Sequence, residues 1–175
     1  FKAFHHEVAE LYDLVRTPLL TAWMVDLLGE DVVCHTSMYI TKDPGDPTVV
    51  HWHQDCSYNP MDSRCAIVWI ALDDVTIDNG GMWFIPGSHL LGQLEFEKNA
   101  TGILETHHAE TFGKKVPMEL KAGQAVLFSD QLLHMSLPNV TKDRHRRSFN
   151  ATYANAALVP HLHKGLSSVL DYKQY

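Results

Sequence analysis

The sequence lacks the features that mark several specialised classes of protein. No stretch approaches the roughly 18 consecutive apolar residues of a membrane-spanning helix, which predicts no membrane partner. Positive charge is scarce: 14 Lys and Arg stand against 21 Asp and Glu, and the net charge of −7 argues against a nucleic-acid partner. The three cysteines form no Cys-x-x-Cys motif and no signal-peptide pattern is present, which predicts a cytoplasmic location.

The composition is that of one globular domain. Hydrophobic residues make up 45% and charged residues 20% of the 175, which predicts a single domain over residues 1–175. The sequence does not begin with Met, and we expect it to lack an N-terminal portion. Histidine is unusually frequent, with 12 residues, and directs attention to metal sites.

Short apolar runs between turn signals predict a mainly β fold. Helical spacing is confined to the first thirty residues, where Thr17-Pro18 begins a second helix and Gly29 ends it. Runs rich in β-branched and aromatic residues predict strands over 32–41, 49–56, 64–72, 82–85, 116–120, 124–129 and 147–155. Many short strands without intervening helices indicate an antiparallel sandwich or barrel, with the N-terminal helices packed on one sheet.

One polar segment interrupts this pattern. Residues 95–115 show no period and are predicted to form a long loop, with Gly102 and Gly113 as possible hinges. Long loops of this kind are often lids, so we expect this one to close over the active site.

Three histidines stand two residues before a carboxylate, and only one of these pairs suits a metal. The pairs are His5/Glu7, His53/Asp55 and His108/Glu110. The first lies in a predicted helix, where residues two apart point in different directions. The third lies in the polar segment. His53 and Asp55 lie in a predicted strand, where residues two apart project from one face and can bind one ion.

A second histidine would complete a set of two histidines and one carboxylate, which leaves positions open on Fe(II) for substrate and O2. His134, which follows the buried-strand run at 125–128, and His89, which follows a Pro-Gly-Ser turn, are the two candidates from the residues alone.

An alternative metal site uses His51. Gly45, five further residues and His51-x-His53 match the opening of the cupin metal motif, which predicts a metal-binding protein that uses His51, His53 and His134 without 2-oxoglutarate. The glutamate that this motif requires next is missing, because Ser57 and its neighbours occupy that region.

Four sequence blocks together resemble the phytanoyl-CoA dioxygenase family. They are His53-Gln54-Asp55-Cys56-Ser57-Tyr58, Val68-Trp69-Ile70-Ala71-Leu72-Asp73-Asp74, Asn79-Gly80-Gly81-Met82-Trp83-Phe84-Ile85-Pro86-Gly87-Ser88-His89 and Leu133-His134-Met135-Ser136-Leu137-Pro138-Asn139. They appear in the family's order and extend the resemblance over residues 37–153. The family consists of Fe(II)- and 2-oxoglutarate-dependent oxygenases on a double-stranded β-helix, or jelly-roll, fold.

The resemblance implies roles for particular residues. It makes His53, Asp55 and His134 the iron ligands, and it makes His89 part of a structural turn. Arg146 would pair with the far carboxylate of 2-oxoglutarate. The implied lining of the cosubstrate pocket is Met38, Trp69, Ser136 and Gln54.

The implied reaction consumes O2 and 2-oxoglutarate, releases succinate and CO2, and oxidises a C–H bond of a small-molecule substrate. Related halogenases carry a small residue where this chain has Asp55, so the carboxylate favours hydroxylation. One departure concerns the arginine: the family's usual spacing falls on His145, and one extra residue moves the arginine to position 146.

Strand alternation leads to the same arginine. Along 147–155, Phe149, Ala151 and Tyr153 form an apolar set with Arg147, suited to packing under the N-terminal helices. The other set is polar and suited to a cavity; its members are Arg146, Ser148, Asn150 and Thr152. A guanidinium at the head of the polar set can bind a carboxylate through two parallel hydrogen bonds.

Overall fold

Two antiparallel four-stranded sheets face each other in residues 4–58, 64–98 and 104–158, the part of the chain that this computed structural model describes. The strands are β1 (Val32–Lys42), β2 (Val50–His53), β3 (Cys65–Ala71), β4 (Met82–Phe84), β5 (Glu97–Lys98), β6 (Leu104–Glu105), β7 (Val116–Pro117), β8 (Ala125–Ser129), β9 (His134–Ser136) and β10 (Arg146–Asn155). The first sheet has the order β1-β10-β3-β8 and the second β2-β9-β4-β7, while β5 and β6 form a separate ribbon. This confirms the double-stranded β-helix prediction.

Two helices cover the outer face of the first sheet. They are α1 (Ala9–Leu14) and α2 (Pro18–Leu28), and Pro18 stands in the first turn of α2 as predicted. Gly29 ends α2 with a φ of +92°, a conformation that favours glycine. Neither helix in the described ranges has the length and hydropathy that crossing a bilayer requires.

Strand β10 separates an apolar face from a polar one, as its alternation predicts. Phe149, Ala151 and Tyr153 are buried in one hydrophobic cluster with Val15 and Met24 from the helical layer. The Tyr153 hydroxyl donates a hydrogen bond to the Val15 carbonyl oxygen at 2.8 Å. The polar residues of β10 face the second sheet, so the space between the sheets has one polar wall.

The sequence predictions of secondary structure differ from the structure at β9 and over residues 95–115. Strand β9 has only three residues and was not predicted, because so short a run carries no recognisable period. The segment 95–115, predicted as a loop, contains β5, β6 and a short 3-10 helix at Ala109–Phe112.

The lid prediction also fails for the part of this segment that packs on the second sheet. Ala109 is fully buried beside Trp52 and Met135, in a cluster on the sheet face opposite the inner surface. The Thr106 amide donates to the Trp52 carbonyl oxygen at 2.7 Å, and the Trp52 indole donates to Glu110 at 3.0 Å. These contacts hold residues 106–110 on the outside of the sheet; residues 99–103, with the predicted hinge Gly102, lie outside the described ranges.

Candidate metal centre and cosubstrate pocket

Two histidines and a carboxylate meet on the inner face of the second sheet. His53 ends β2 and His134 begins β9, and the two residues pair directly across the strands. Asp55 Oδ1 lies 3.4 Å from His53 Nε2 and 3.9 Å from His134 Nε2. One ligand atom from each of the three residues lies within 4.8 Å of the others, a spacing that can hold one metal ion.

Backbone carbonyls orient both imidazole rings. His53 Nδ1 lies 2.8 Å from the His51 carbonyl oxygen, and His134 Nδ1 lies 2.9 Å from that of Leu132. A carbonyl only accepts, so each Nδ1 carries a proton, and Nε2 is in each ring the nitrogen that faces Asp55 and would bind a metal. This is the arrangement that metal-binding histidines use, and with the open faces of a three-ligand set it suits Fe(II).

The path of the chain at Asp55 differs from the sequence prediction. Strand β2 ends at His53, and Asp55 begins a 3-10 helix instead of continuing the strand. The residue at this point is Gln54, whose amide nitrogen donates to the carbonyl oxygens of Gly92 at 2.9 Å and Gln131 at 2.7 Å. Its amide oxygen accepts from the Leu94 amide at 2.8 Å.

Gln54 is therefore a buried clamp whose amide nitrogen is fully engaged by backbone carbonyls, and its place in the cosubstrate pocket stays a prediction. All three of its hydrogen bonds go to backbone groups of other segments. The clamp turns the chain so that the Asp55 carboxylate still reaches both histidines.

The charges of the three residues depend on one another. Burial acts to raise the pKa of Asp55, but His134 and His53 outweigh it and hold this pKa below its usual value. Burial, assisted by the charge of His53, lowers the pKa of His134 to about 4. The site thus contains an ionised carboxylate and a neutral His134, the forms in which both residues bind metal.

The two other histidines that the sequence raised as ligands lie outside this cluster. An irregularity in the β2–β9 register between Val50 and His53 turns His51 outward, and its Nδ1 lies 3.8 Å from Glu105 Oε1. This removes His51 from the cupin-type ligand set. His89 is exposed, and the preceding Ser88 accepts a hydrogen bond from the Leu133 amide at 2.9 Å, so this turn is structural.

Arg146 is a buried cation on the opposite wall. It is 2% exposed, one terminal nitrogen donates to Ser148 Oγ at 3.2 Å, and its Nε has no partner. Its Cζ lies 5.7 Å from the centre of the Trp69 ring. In the described ranges no carboxylate lies within salt-bridge distance of Arg146, whereas the neighbouring Arg147 is exposed and binds Asp73 at 2.6 Å.

The orphaned guanidinium suits an anionic cosubstrate. A buried charge without a partner is costly, so a carboxylate in this space would satisfy Arg146. The residues present therefore fit 2-oxoglutarate as they fit iron.

The other residues predicted to line the pocket are Met38, Trp69 and Ser136. Met38 in β1 and Trp69 in β3 both pair with Asn150 in β10, so the three side chains share the inner face of the first sheet. Ser136, 5% exposed, stands two residues beyond His134 in β9. The Asn150 amide oxygen is buried without a partner.

A mostly apolar cavity adjoins the second histidine. Its volume is about 450 Å³, and its lining includes Phe84, Val126, Phe128, Leu132 and His89. The Phe128 and Phe84 rings lie 5.2 and 6.2 Å from the His134 ring. The cavity thus shares two aromatic side chains, Phe84 and Phe128, with the surroundings of His134.

Sequence reasoning missed Lys42, the partner of Arg146 across β1 and β10. This lysine is 2% exposed. A lysine directly before an Asp-Pro-Gly turn usually indicates a solvated strand end, and only the strand register could reveal its position.

Two histidines and a carboxylate on the inner face of a double-stranded β-helix define a class of proteins, those with a mononuclear non-haem metal site. The comparison with known proteins gives the family: the phytanoyl-CoA dioxygenase (PhyH) model matches residues 2–148, and the chain belongs to this family. The resemblance of the four sequence blocks is thereby confirmed.

Curated relatives agree with this membership. A phytanoyl-CoA dioxygenase of Arabidopsis thaliana is 35% identical over 151 residues, which are 83% of this chain and 53% of that protein. A methylphosphonate hydroxylase of Gimesia maris is 29% identical over 151 residues, 86% of this chain and 55% of that protein. The chain spans about half the length of these relatives.

Solved structures share the fold. A non-heme monooxygenase, ThoJ, matches with a TM-score of 0.78 and 28% identity, over 97% of this chain and 61% of that one. EvdO2 from Micromonospora carbonacea var. aurantiaca, complexed with 2-oxoglutarate, matches with a TM-score of 0.72 over 93% of this chain and 66% of that one. At 22% identity this second likeness concerns the fold alone.

Proposed function

We propose that the protein is an Fe(II)- and 2-oxoglutarate-dependent dioxygenase that hydroxylates a C–H bond of a small molecule. The observation that carries the proposal is Arg146, a buried cation with no carboxylate partner in the described ranges, in the same inter-sheet space as the His53, Asp55 and His134 cluster. A buried charge without a carboxylate partner is costly, and an anionic cosubstrate would offset that cost.

The protein's residues hold and orient the reactants. His53 and His134 would bind iron through Nε2 and Asp55 through a carboxylate oxygen, leaving positions open. Arg146 would bind the far carboxylate of 2-oxoglutarate, and its fork can form two parallel hydrogen bonds. Bound Fe(II) and 2-oxoglutarate supply the oxidising chemistry, in which O2 and 2-oxoglutarate become succinate and CO2 and one oxygen atom enters the substrate.

The buried aromatic side chains around the candidate metal centre favour a site from which water is excluded. Trp69 is 2% exposed below Arg146, and Phe84 and Phe128 stand against His134. Water exclusion strengthens the Arg146–carboxylate attraction and protects the reactive site from side reactions. The chain has a carboxylate, Asp55, at the third ligand position, and this favours hydroxylation of the substrate.

The substrate is proposed as a small molecule with an apolar part, supported by the cavity of about 450 Å³ beside Phe84 and Phe128. The named activities of the relatives range from phytanoyl-CoA to methylphosphonate oxidation, so they set no single substrate for this chain. A cytoplasmic location agrees with the three free cysteines.

The test is succinate release. The purified protein, Fe(II), 2-oxoglutarate and O2 are incubated with acyl thioesters, phosphonates and amino-acid derivatives, and succinate is measured by mass spectrometry. We expect one class to stimulate succinate formation in the wild type and not in His134→Ala, which lacks one of the two histidine ligands. Succinate formation that persists in His134→Ala would contradict the proposal.

A further inference from the structure

A second buried cation lies next to Arg146. Lys42 is the last residue of β1, pairs with Arg146 in the adjacent strand β10, and is 2% exposed. Residues paired across adjacent antiparallel strands place their side chains on one face, so the two positive groups share the end of the inter-sheet space.

The Lys42 ammonium joins three segments of the chain. Its Nζ donates to the carbonyl oxygens of Thr48 at 2.7 Å, Leu137 at 2.5 Å and Ser136 at 3.4 Å. An ammonium has three protons, and these three acceptors use all of them. Lys42 thereby ties β1 to β9 and fixes the backbone at Ser136, a predicted pocket residue.

The surrounding chain makes room for this side chain. Gly80 has a φ of +89°, and a Cβ there would lie 2.7 Å from Lys42 Cδ. The Asn139 amide nitrogen donates to the Lys42 carbonyl oxygen at 3.0 Å. Gly80 of the Asn-Gly-Gly turn and Asn139 of the Pro-Asn turn therefore both contact Lys42 and hold it in place.

The two cations leave an excess of positive charge in this space. Within the described ranges neither has a carboxylate at salt-bridge distance, and the acid that acts on both is Asp46, which is bound to the Thr48 amide. Burial, and then the charge of Arg146, lowers the pKa of Lys42 to about 8. An anion placed between the sheets would relieve this repulsion.

We propose that Lys42 is a positioning residue for the far carboxylate of 2-oxoglutarate, fixing Ser136 and adding a second positive charge beside Arg146. This inference rests on the proposed function. Because its protons are engaged by carbonyls, Lys42 acts through its charge and through Ser136, while Arg146 supplies the hydrogen bonds.

The test compares two ligands that differ only at the far end. 2-Oxoglutarate carries the far carboxylate, and 2-oxopentanoate has a methyl group there. Dissociation constants are measured by anaerobic calorimetry with the Fe(II)-loaded protein for the wild type, Lys42→Met and the control Lys121→Met, whose ammonium is exposed and bound to Asp74.

We expect Lys42→Met to weaken 2-oxoglutarate about tenfold, corresponding to about 1.4 kcal/mol, and to leave 2-oxopentanoate within about twofold. Lys121→Met should change neither. Equal weakening of both ligands, or of neither, would overturn the inference while leaving the proposed function intact. A wild type that binds no 2-oxoglutarate would overturn both.

A second measurement needs no substitution. Raising the pH from 7 to 9 neutralises part of Lys42, and the groups that face it are Arg146 from β10, Asp46 from the following turn and the three carbonyls. Binding of a dianion should then weaken about fivefold relative to 2-oxopentanoate, if the bound anion raises the lysine pKa by about one unit. An unchanged ratio of the two dissociation constants would refute the role of the charge, whether or not Lys42→Met folds.

Discussion

Arg146→Gln removes the charge on which the cosubstrate proposal depends. Arg146 is 2% exposed, one of its terminal nitrogens binds Ser148, and its Nε is unpartnered, so the guanidinium has donors free for a carboxylate. Glutamine retains a polar end but neither the charge nor the fork. The variant therefore separates cosubstrate binding from metal binding, because Arg146 lies outside the His53, Asp55 and His134 cluster.

The size of the effect follows from burial. Truncating one partner of a buried, hydrogen-bonded ion pair costs about 2–5 kcal/mol, which is a loss of about 30-fold or more in affinity. Without the cosubstrate, Arg146 has no carboxylate partner in the described ranges, so its removal should not lower the free energy of unfolding. Arg146→Lys should also lose affinity, since lysine cannot form the bidentate pair.

The assay is an anaerobic calorimetric titration of the Fe(II)-loaded protein with 2-oxoglutarate, which gives the dissociation constant of the cosubstrate. Arg147→Gln is the matched control, because Arg147 is the next residue but is exposed and bound to Asp73. We expect Arg147→Gln to bind 2-oxoglutarate as the wild type does and to lose some stability. If Arg147→Gln loses the cosubstrate and Arg146→Gln does not, the assignment of the β10 faces to function is refuted.

Three further predictions concern metal, packing and pH. Alanine at any one of the three clustered ligands should abolish either the binding of one Fe(II) per chain, measured by metal analysis, or all turnover. His51→Ala should retain iron, and loss of iron in His51→Ala together with its retention in Asp55→Ala would favour the cupin-type site. Gly80→Ala should lower the free energy of unfolding by about 1–3 kcal/mol more than Gly123→Ala, because both have positive φ but only at Gly80 would a Cβ meet neighbouring atoms; equal urea midpoints would contradict this. Burial and His6 lower the pKa of His5 to about 4, so its stabilising effect is present above pH 6.5 and is lost as the pH falls toward 4. The stability difference between wild type and His5→Gln should therefore shrink between pH 7 and 4.5, and a constant difference would exclude this linkage.

The face assignment of β10 was predictable because it is a local property. Its residues alternate strictly, and one set is apolar enough to identify the side under the helices. The sequence accordingly separates Arg146 from Arg147, and the structure buries the first and exposes the second.

The local path at Asp55 was not predictable. The clamp on Gln54 comes from Gly92 and Gln131, which are 38 and 77 residues away in the sequence. The outward turn of His51 depends on a register irregularity that no alternation pattern contains. In both cases the local pattern indicates a continuous strand, and distant hydrogen bonds override it.

The packing of the polar segment 95–115 and the burial of Lys42 were not predicted, for a related reason. Ala109 is buried because Trp52 and its neighbours on the outer sheet face provide an apolar surface, which a polar sequence does not indicate. Lys42 is buried because the register of β1 and β10 places it there and three carbonyls satisfy its ammonium. Solvation by distant backbone groups is a tertiary property that residue type alone does not indicate.

The most direct test of the combined metal and cosubstrate site is the charge-transfer absorption of the anaerobic complex. Fe(II) is added to the wild type, then 2-oxoglutarate, and the visible spectrum is recorded with metal stoichiometry. We predict a new metal-to-ligand charge-transfer band at one iron per chain, absent in His134→Ala and requiring much more 2-oxoglutarate in Arg146→Gln. A wild type that binds iron but develops no band on addition of 2-oxoglutarate would contradict the proposed dioxygenase.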